Sequence, residues 1–265
     1  MSERGLELRA RTVGEILTDA FEVYRRNFFV LVSIAAVVVV PLTLFQYLLF
    51  VEVADVWGAT PGEIRSLDAA EAWRVTLGGF ALGLISFVVS QLATGAGTHA
   101  VVSAVAGGEP GVGVSYRAAL GRLGSLLLAT LLMGLAVGVG FVLFIIPGFI
   151  VLVRLIATIP AVVVERATGG RALSRSWELV RGRSWPVFGA MLVVLLVTGI
   201  LTGIVTRPVG DHWFAQGLAA SIASVLTAPY VVTVVVLLYL DLRVRKEGLD
   251  PTTLRHELVE GRGPA

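Results

Sequence analysis

The chain has no cysteine, three histidines and a single lysine, Lys246, among its 265 residues. Without cysteine there are no disulfides, no thiolate metal ligands and no thiol nucleophile. The histidines are scattered at His99, His212 and His256, and no H-E-x-x-H or comparable ligand spacing occurs. A Gly-rich phosphate loop and a G-x-S-x-G elbow are also missing. No catalytic residue, metal ligand or cofactor site is therefore expected, and no nucleic-acid partner. Charge is scarce too, at 15% of residues, against about 25% in an ordinary soluble domain.

What fills the chain instead is apolar sequence. Hydrophobic residues make up 56%, and the mean hydropathy is +0.86. Several apolar runs reach the 18 or more residues that a bilayer-crossing helix needs. The runs place six spans at about 28–49, 75–106, 125–146, 149–164, 184–206 and 213–240. They leave an N-terminal segment, 1–27, and a tail, 241–265, which ends in a GRGPA stretch expected to be disordered. The first run begins only near Phe28 and no small-residue cleavage site follows Leu49, so it is expected to remain in the mature protein. Pro147-Gly148 turns the chain between the third and fourth spans. The fourth is short: at 1.5 Å per residue it reaches roughly 24 Å, less than the roughly 30 Å hydrocarbon core.

Three amphipathic segments precede the odd-numbered spans. In Arg11–Asn27, Val13, Ile16, Leu17, Ala20, Phe21 and Tyr24 share one face at helical spacing, and Thr12 with Glu15 forms a capping box. Within Gly107–Gly124, Ser115 reads as a cap, and Tyr116, Ala119, Leu120 and Leu123 form the apolar side. In Glu165–Arg183, Leu173, Trp177 and Val180 form a stripe opposite Arg171, Arg175, Glu178 and Arg181. Aligning Gly14 with Gly170 also matches Leu17 with Leu173, Phe21 with Trp177, Glu22 with Glu178 and Arg25 with Arg181. The architecture expected is an all-α bundle of six transmembrane helices, built as three copies of interfacial helix, span, span. Shorter helices are expected to start at Thr60-Pro61 and Asp250-Pro251.

The arginines orient the bundle. With six spans, 17 Lys and Arg fall on the side of the termini, three (Arg65, Arg74, Arg207) on the other, and Arg154 within a span. The positive-inside rule places both termini in the cytoplasm of a plasma-membrane protein.

The pattern IIPG…VR…P-A-V-V-V-E (Ile145–Glu165), followed by A-L-S-R-S-W-E-L-V-R-G-R-S-W (Ala172–Trp185), resembles the membrane domain of some glycerophosphoryl diester phosphodiesterases. VGEILTDAFEVYRRNF (Val13–Phe28) and YLDLRVRKEG (Tyr239–Gly248) resemble its stand-alone actinobacterial relatives. The resemblance covers about Arg11 to Asp250 and implies a six-span helical domain whose biochemical role is not settled. In the two-part proteins catalysis belongs to a separate barrel of about 250 residues, for which this chain has no room.

Among candidate residues, Arg154, Gln91 and His99 are polar groups within spans, where ionisable side chains mark functional sites by default. Arg154 is expected about five residues from the outer end of its span, as a snorkelling anchor or a cavity group. Gln91 and His99 are expected to make interhelical hydrogen bonds. Arg25, Arg26, Arg171, Arg175, Arg181, Arg183, Trp177 and Trp185 are candidate headgroup or interfacial residues, and Trp57, Trp73 and Trp213 also fall at interfaces. The pairs Gly79/Gly83, Gly134/Gly138 and Gly199/Gly203 are expected to pack helices within the molecule. The function these features favour is a non-enzymatic membrane scaffold or accessory protein acting on lipid, anionic lipid included, with a protein partner or a second copy. A small transporter or lipid-handling protein with a cavity near Arg154 is the alternative, and a membrane-embedded hydrolase the weakest reading.

Overall fold

The computed structural model describes residues 9–57, 69–209, 213–250 and 253–254, and every regular element among them is helical. In chain order these are α1 (Val13–Arg26), α2 (Phe28–Trp57), α3 (Ala69–Val105), α4 (Val112–Leu120), α5 (Leu123–Leu143), α6 (Ile145–Arg154), α7 (Thr158–Val164), α8 (Gly169–Val180), α9 (Ser184–Thr206) and α10 (Trp213–Glu247). Five stretches are long and apolar enough to cross a membrane, or six if α1 and the first part of α2, bent by 82°, are taken together. The Thr60-Pro61 helix start and the GRGPA tail lie outside the described residues. Asp250 does act as a cap, its Oδ1 accepting from Thr253 N at 2.6 Å.

The three amphipathic helices α1, α4 and α8 each lead into a span through a hinge of the same shape. Asn27 has φ, ψ of −111°, 22°; Arg122 has −125°, 11°; Arg183 has −126°, 16°. Each hinge carbonyl accepts the first backbone bond of its span, from Leu31, Leu126 and Val187 respectively. Counting from the hinge, positions −7 (Ala20, Ser115, Ser176), +4 (Leu31, Leu126, Val187) and +7 (Ile34, Ala129, Ala190) are at most 2% exposed in all three copies. Position −6 is aromatic each time: Phe21, Tyr116 and Trp177. The Gly14/Gly170 register is thus matched in burial, and the middle copy joins it through Ser115.

That last residue corrects one expectation. Ser115 is not a cap: α4 begins at Val112 after Gly111, and Ser115 is fully buried.

The copies interlock in a ring. Each amphipathic helix packs on the span pair of the copy before it: α4 on α2 and α3, α8 on α5 to α7, and α1 on α9 and α10. The core gathers around the C-terminal half of α10, where Val234, Val236, Leu237, Tyr239 and Leu240 are completely enclosed.

The fourth span is broken in two. Pro160 has no N–H to give the carbonyl of Ile156, and its ring would clash there, so helix ends at Arg154 and resumes at Thr158. Ser176 Oγ bridges the gap, accepting from Ala157 N at 3.1 Å and donating to Arg154 O at 2.8 Å. At the other end of α6 the backbones of α5 and α6 touch: a Cβ on Gly140 would lie 2.9 Å from Gly148 Cα. The anticipated glycine pairs do not behave this way. Gly83, Gly134, Gly138, Gly199 and Gly203 have open space where a Cβ would stand, so close helix approach within the molecule is not their role.

Candidate functional site

Most polar interactions that tie distant segments together lie at one end of the bundle, where the arginines collect. Two networks share the last turns of α10. In the first, Arg175 of α8 donates to Glu165 at 2.6 Å and pairs with Glu247. Tyr239 donates to Glu165 at 2.7 Å, and Arg243 Nε donates to Glu247 at 2.9 Å. Burial alone would lower the Arg175 proton affinity. Hydrogen bonding to Glu165, with the charges of Glu165 and Glu247, outweighs it and holds the guanidinium above its ordinary value.

The second network clamps the N-terminus. Asp241 Oδ1 accepts from Arg11 N at 2.7 Å, Arg245 Nε donates to Asp241 Oδ2 at 2.8 Å, and Arg245 Nη2 donates to Arg11 O at 2.6 Å. The Arg11 side chain turns back to Asp19, at 2.7 Å. Arg11, Asp241 and Arg243 are all buried. These contacts unite the stretches Val13–Phe28, Val162–Glu165, Ala172–Trp185 and Tyr239–Gly248, which are far apart in the chain. No sequence spacing signals that meeting; it requires the ring.

The three polar residues within spans do not share a lumen. Gln91 Oε1 accepts from Thr130 at 2.9 Å in the α3–α5 seam, and His99 Nδ1 lies 3.3 Å from Ser115 Oγ in the α3–α4 seam. Arg154 lies in a third seam, its guanidinium 4.4 Å from the centre of the Trp177 ring. Arg154 closes α6 just before the break and is packed against α8. Its side chain is held by a cation–π contact, and its Nε is buried without a hydrogen-bond partner.

The headgroup candidates divide into two groups. Arg175 is committed to the network, Arg26 pairs with Glu22, and Trp177 is covered by Arg154. Arg25, Arg171, Arg181 and Arg183 are exposed and pair with no acid among the described residues. Beside them stand Phe29 and Trp185, each 83% exposed, at the same position two residues after the hinge. Trp73 is exposed as well, while the side chains of Trp57 and Trp213 lie outside the described residues.

Two cavities flank the α9–α10 contact. One, of about 750 Å³, is an apolar groove where Phe21, Phe28, Val197, Leu201 and Leu226 face one another. The other, of about 660 Å³, collects the hydroxyls of Thr94, Thr98, Thr198, Thr202, Ser224 and Thr227. Thr94, Thr98, Thr198 and Thr227 donate to carbonyls of their own helices, so their oxygens are left as acceptors. Neither cavity is lined by Arg154, Gln91 or His99. No group of three or more metal-ligating side chains occurs among the described residues.

These features define a multi-pass, all-α membrane protein with a polar clamp at one end. A family model described as a domain of unknown function (DUF7847) matches residues 12–244, and the chain belongs to that family. The matched region takes in α1 and runs to Val244, stopping short of Arg245 and Glu247 in the two networks. No curated protein and no solved structure matches the chain. The narrower likeness to the glycerophosphodiesterase membrane domain is not among the matches.

Proposed function

We propose that this protein is a non-enzymatic scaffold or accessory protein of the plasma membrane, with both termini cytoplasmic, which holds anionic lipid at its arginine-rich end. The observation that carries this reading is the division of the charges. Asp19, Glu165, Asp241 and Glu247 at that end are spent inside the protein, on Arg11, Arg175, Arg243 and Arg245. Arg25, Arg181 and Arg183 remain, flanking exposed Phe29 and Trp185 at equivalent hinges. Aromatic rings suit the headgroup level of a bilayer, and unpaired arginines beside them attract anionic headgroups.

The test is lipid selection. Protein reconstituted into nanodiscs of phosphatidylglycerol and phosphatidylcholine is re-extracted and its retained lipid weighed by mass spectrometry. Wild type is expected to retain phosphatidylglycerol several-fold above its share, and an Arg25→Gln, Arg181→Gln, Arg183→Gln variant to lose that enrichment. Equal enrichment in both proteins would overturn the reading.

A second reading, a lipid-handling protein, draws support from the apolar groove beside α9. It places the cavity between α1, α9 and α10 rather than near Arg154.

A further inference from the structure

Of the two cavities beside α9, the one of about 660 Å³ stands out for its oxygens. It lies between α3, α7, α9 and α10, and six hydroxyls line it: Thr94 and Thr98 from α3, Thr198 and Thr202 from α9, Ser224 and Thr227 from α10. These positions are deep. Thr198 follows Ser184, the first residue of α9, by 14 positions, and Thr94 precedes Val105, the last of α3, by 11. At 1.5 Å per residue they lie roughly 21 Å and 17 Å from those helix ends, within the span of a hydrocarbon core of roughly 30 Å.

The oxygens there are short of donors. Thr94, Thr98, Thr198 and Thr227 each give their proton to a carbonyl of their own helix, at 2.8 or 2.9 Å, which leaves lone pairs free on the hydroxyl oxygens. The hydroxyls of Thr202 and Ser224 make no hydrogen bond among the described residues. The broken fourth span adds another acceptor. Ile156 and Pro160 both line the cavity, and the Ile156 carbonyl, which has no N–H to take from Pro160, accepts no backbone N–H among the described residues. Backbone left open at membrane depth is tolerated only inside protein or beside a polar cavity.

No charged side chain lines the cavity among the described residues. A phosphate headgroup would lie there with its charge uncompensated, at a heavy cost. A neutral group that donates hydrogen bonds meets no such cost. Leu195, Ser224 and Ala228 on the cavity wall are exposed, so the cavity opens sideways onto lipid, and its occupant enters from the bilayer. We propose that this cavity binds a neutral lipid alcohol of the diacylglycerol class, whose free hydroxyl donates to the threonine oxygens or to the Ile156 carbonyl while its chains stay in the bilayer. The site goes beyond the anionic-lipid reading and uses none of its arginines.

The experiment titrates the purified full chain, in mixed micelles of neutral detergent and phosphatidylcholine, with 1,2-dioleoylglycerol or with its 3-O-methyl ether. The two lipids differ only in the hydroxyl proton. Binding is read as the rise in thermal midpoint with lipid mole fraction. Wild type is expected to reach half of the full rise at a mole fraction at least about three-fold lower for the alcohol than for the ether, as the loss of one hydrogen bond implies. A Thr198→Val, Thr227→Val variant, which keeps the side-chain shapes, is expected to lose that preference. Ser224→Ala, at an exposed position, is expected to weaken it. Thr206→Val, whose hydroxyl also bonds its own helix but lies outside the cavity, serves as the control.

No rise with the alcohol overturns the proposal. Equal response to alcohol and ether in wild type overturns it as well, and that comparison needs no variant to fold. So does a preference that survives in the Thr198, Thr227 double variant, or one that Thr206→Val loses equally. The Arg25, Arg181, Arg183 triple variant is expected to keep the preference for the alcohol even where anionic-lipid enrichment disappears, so the two readings fail separately.

Discussion

Tyr239 donates its hydroxyl proton to Glu165 Oε1 across 2.7 Å, and its oxygen lies 3.4 Å from Arg243 Nη1. One side chain of α10 thus joins the C-terminus of α7 to a buried arginine four residues further along its own helix. Replacing Tyr239 with phenylalanine keeps the ring and removes both hydrogen bonds. A hydrogen bond to a charged group contributes about 1.5–3 kcal/mol, so the variant is expected to lose about that much in denaturant-induced unfolding. Tyr239→Phe and Glu165→Gln should be non-additive by about 0.5–3 kcal/mol in a double-mutant cycle. Strict additivity would mean that the contact does not couple them.

Ser176 holds the broken fourth span together. Its removal leaves Ala157 N and Arg154 O, both within the bundle, without their partner. Ser176→Ala is expected to cost about 1–3 kcal/mol, whereas Ser174→Ala, exposed on the same helix, should change stability by less than about 0.5 kcal/mol. Equal effects would remove the bridge from the account.

The position seven residues before each hinge admits only a small side chain. Ala20→Leu and Ser115→Leu are each expected to destabilise by about 1–3 kcal/mol through overpacking. Phe21→Leu, at the exposed neighbouring position, should do little. Tolerance of leucine at Ala20 but not at Ser115 would show that the copies do not share this constraint.

Glu15 is the capping-box acid of α1. The Thr12 backbone amide first, then the Arg9 and Thr12 side chains, lower its pKa from 4.5 to about 2. A depressed carboxylate stabilises the folded form above its unfolded pKa, and that contribution disappears as pH falls through the folded value. Wild type should therefore exceed Glu15→Gln in stability at pH 6, and the gap should close between about pH 4.5 and pH 2. A gap independent of pH over that range would show that the charge is not what the cap uses.

Because the chain lacks cysteine, single cysteines can report its orientation without background. Ile146→Cys lies at the exposed α5–α6 turn and Ser174→Cys on the exposed side of α8. A membrane-impermeant maleimide is expected to label Ile146→Cys in intact cells and Ser174→Cys only after permeabilisation. The opposite pattern would reverse the proposed topology.

Helix type, the apolar spans and the capping box were legible because each is a local pattern: a run of apolar residues, a period, a Thr-x-x-Glu spacing. The register between α1 and α8 was legible for the same reason, since Phe21 and Trp177 head similar strings of residues. The middle copy was not. Ser115 looks like a cap in isolation, and only its burial against His99 reveals its equivalence to Ala20 and Ser176. The partner of Arg154 was not legible either, because Trp177 lies 23 residues further along the chain, on another helix.

The ring has a consequence for how the molecule is made. The apolar side of α1 (Ile16, Ala20, Val23) leaves the ribosome first, but the helices it rests on, α9 and α10, are translated last. Until Trp213–Glu247 has been synthesised and inserted, Asp241 cannot hold Arg11. During that interval the first helix must wait against the bilayer surface or an insertion factor. A chain halted after α8 would carry its opening segment with nowhere to lodge, so completion of the last span is also the moment at which the beginning of the protein is fastened.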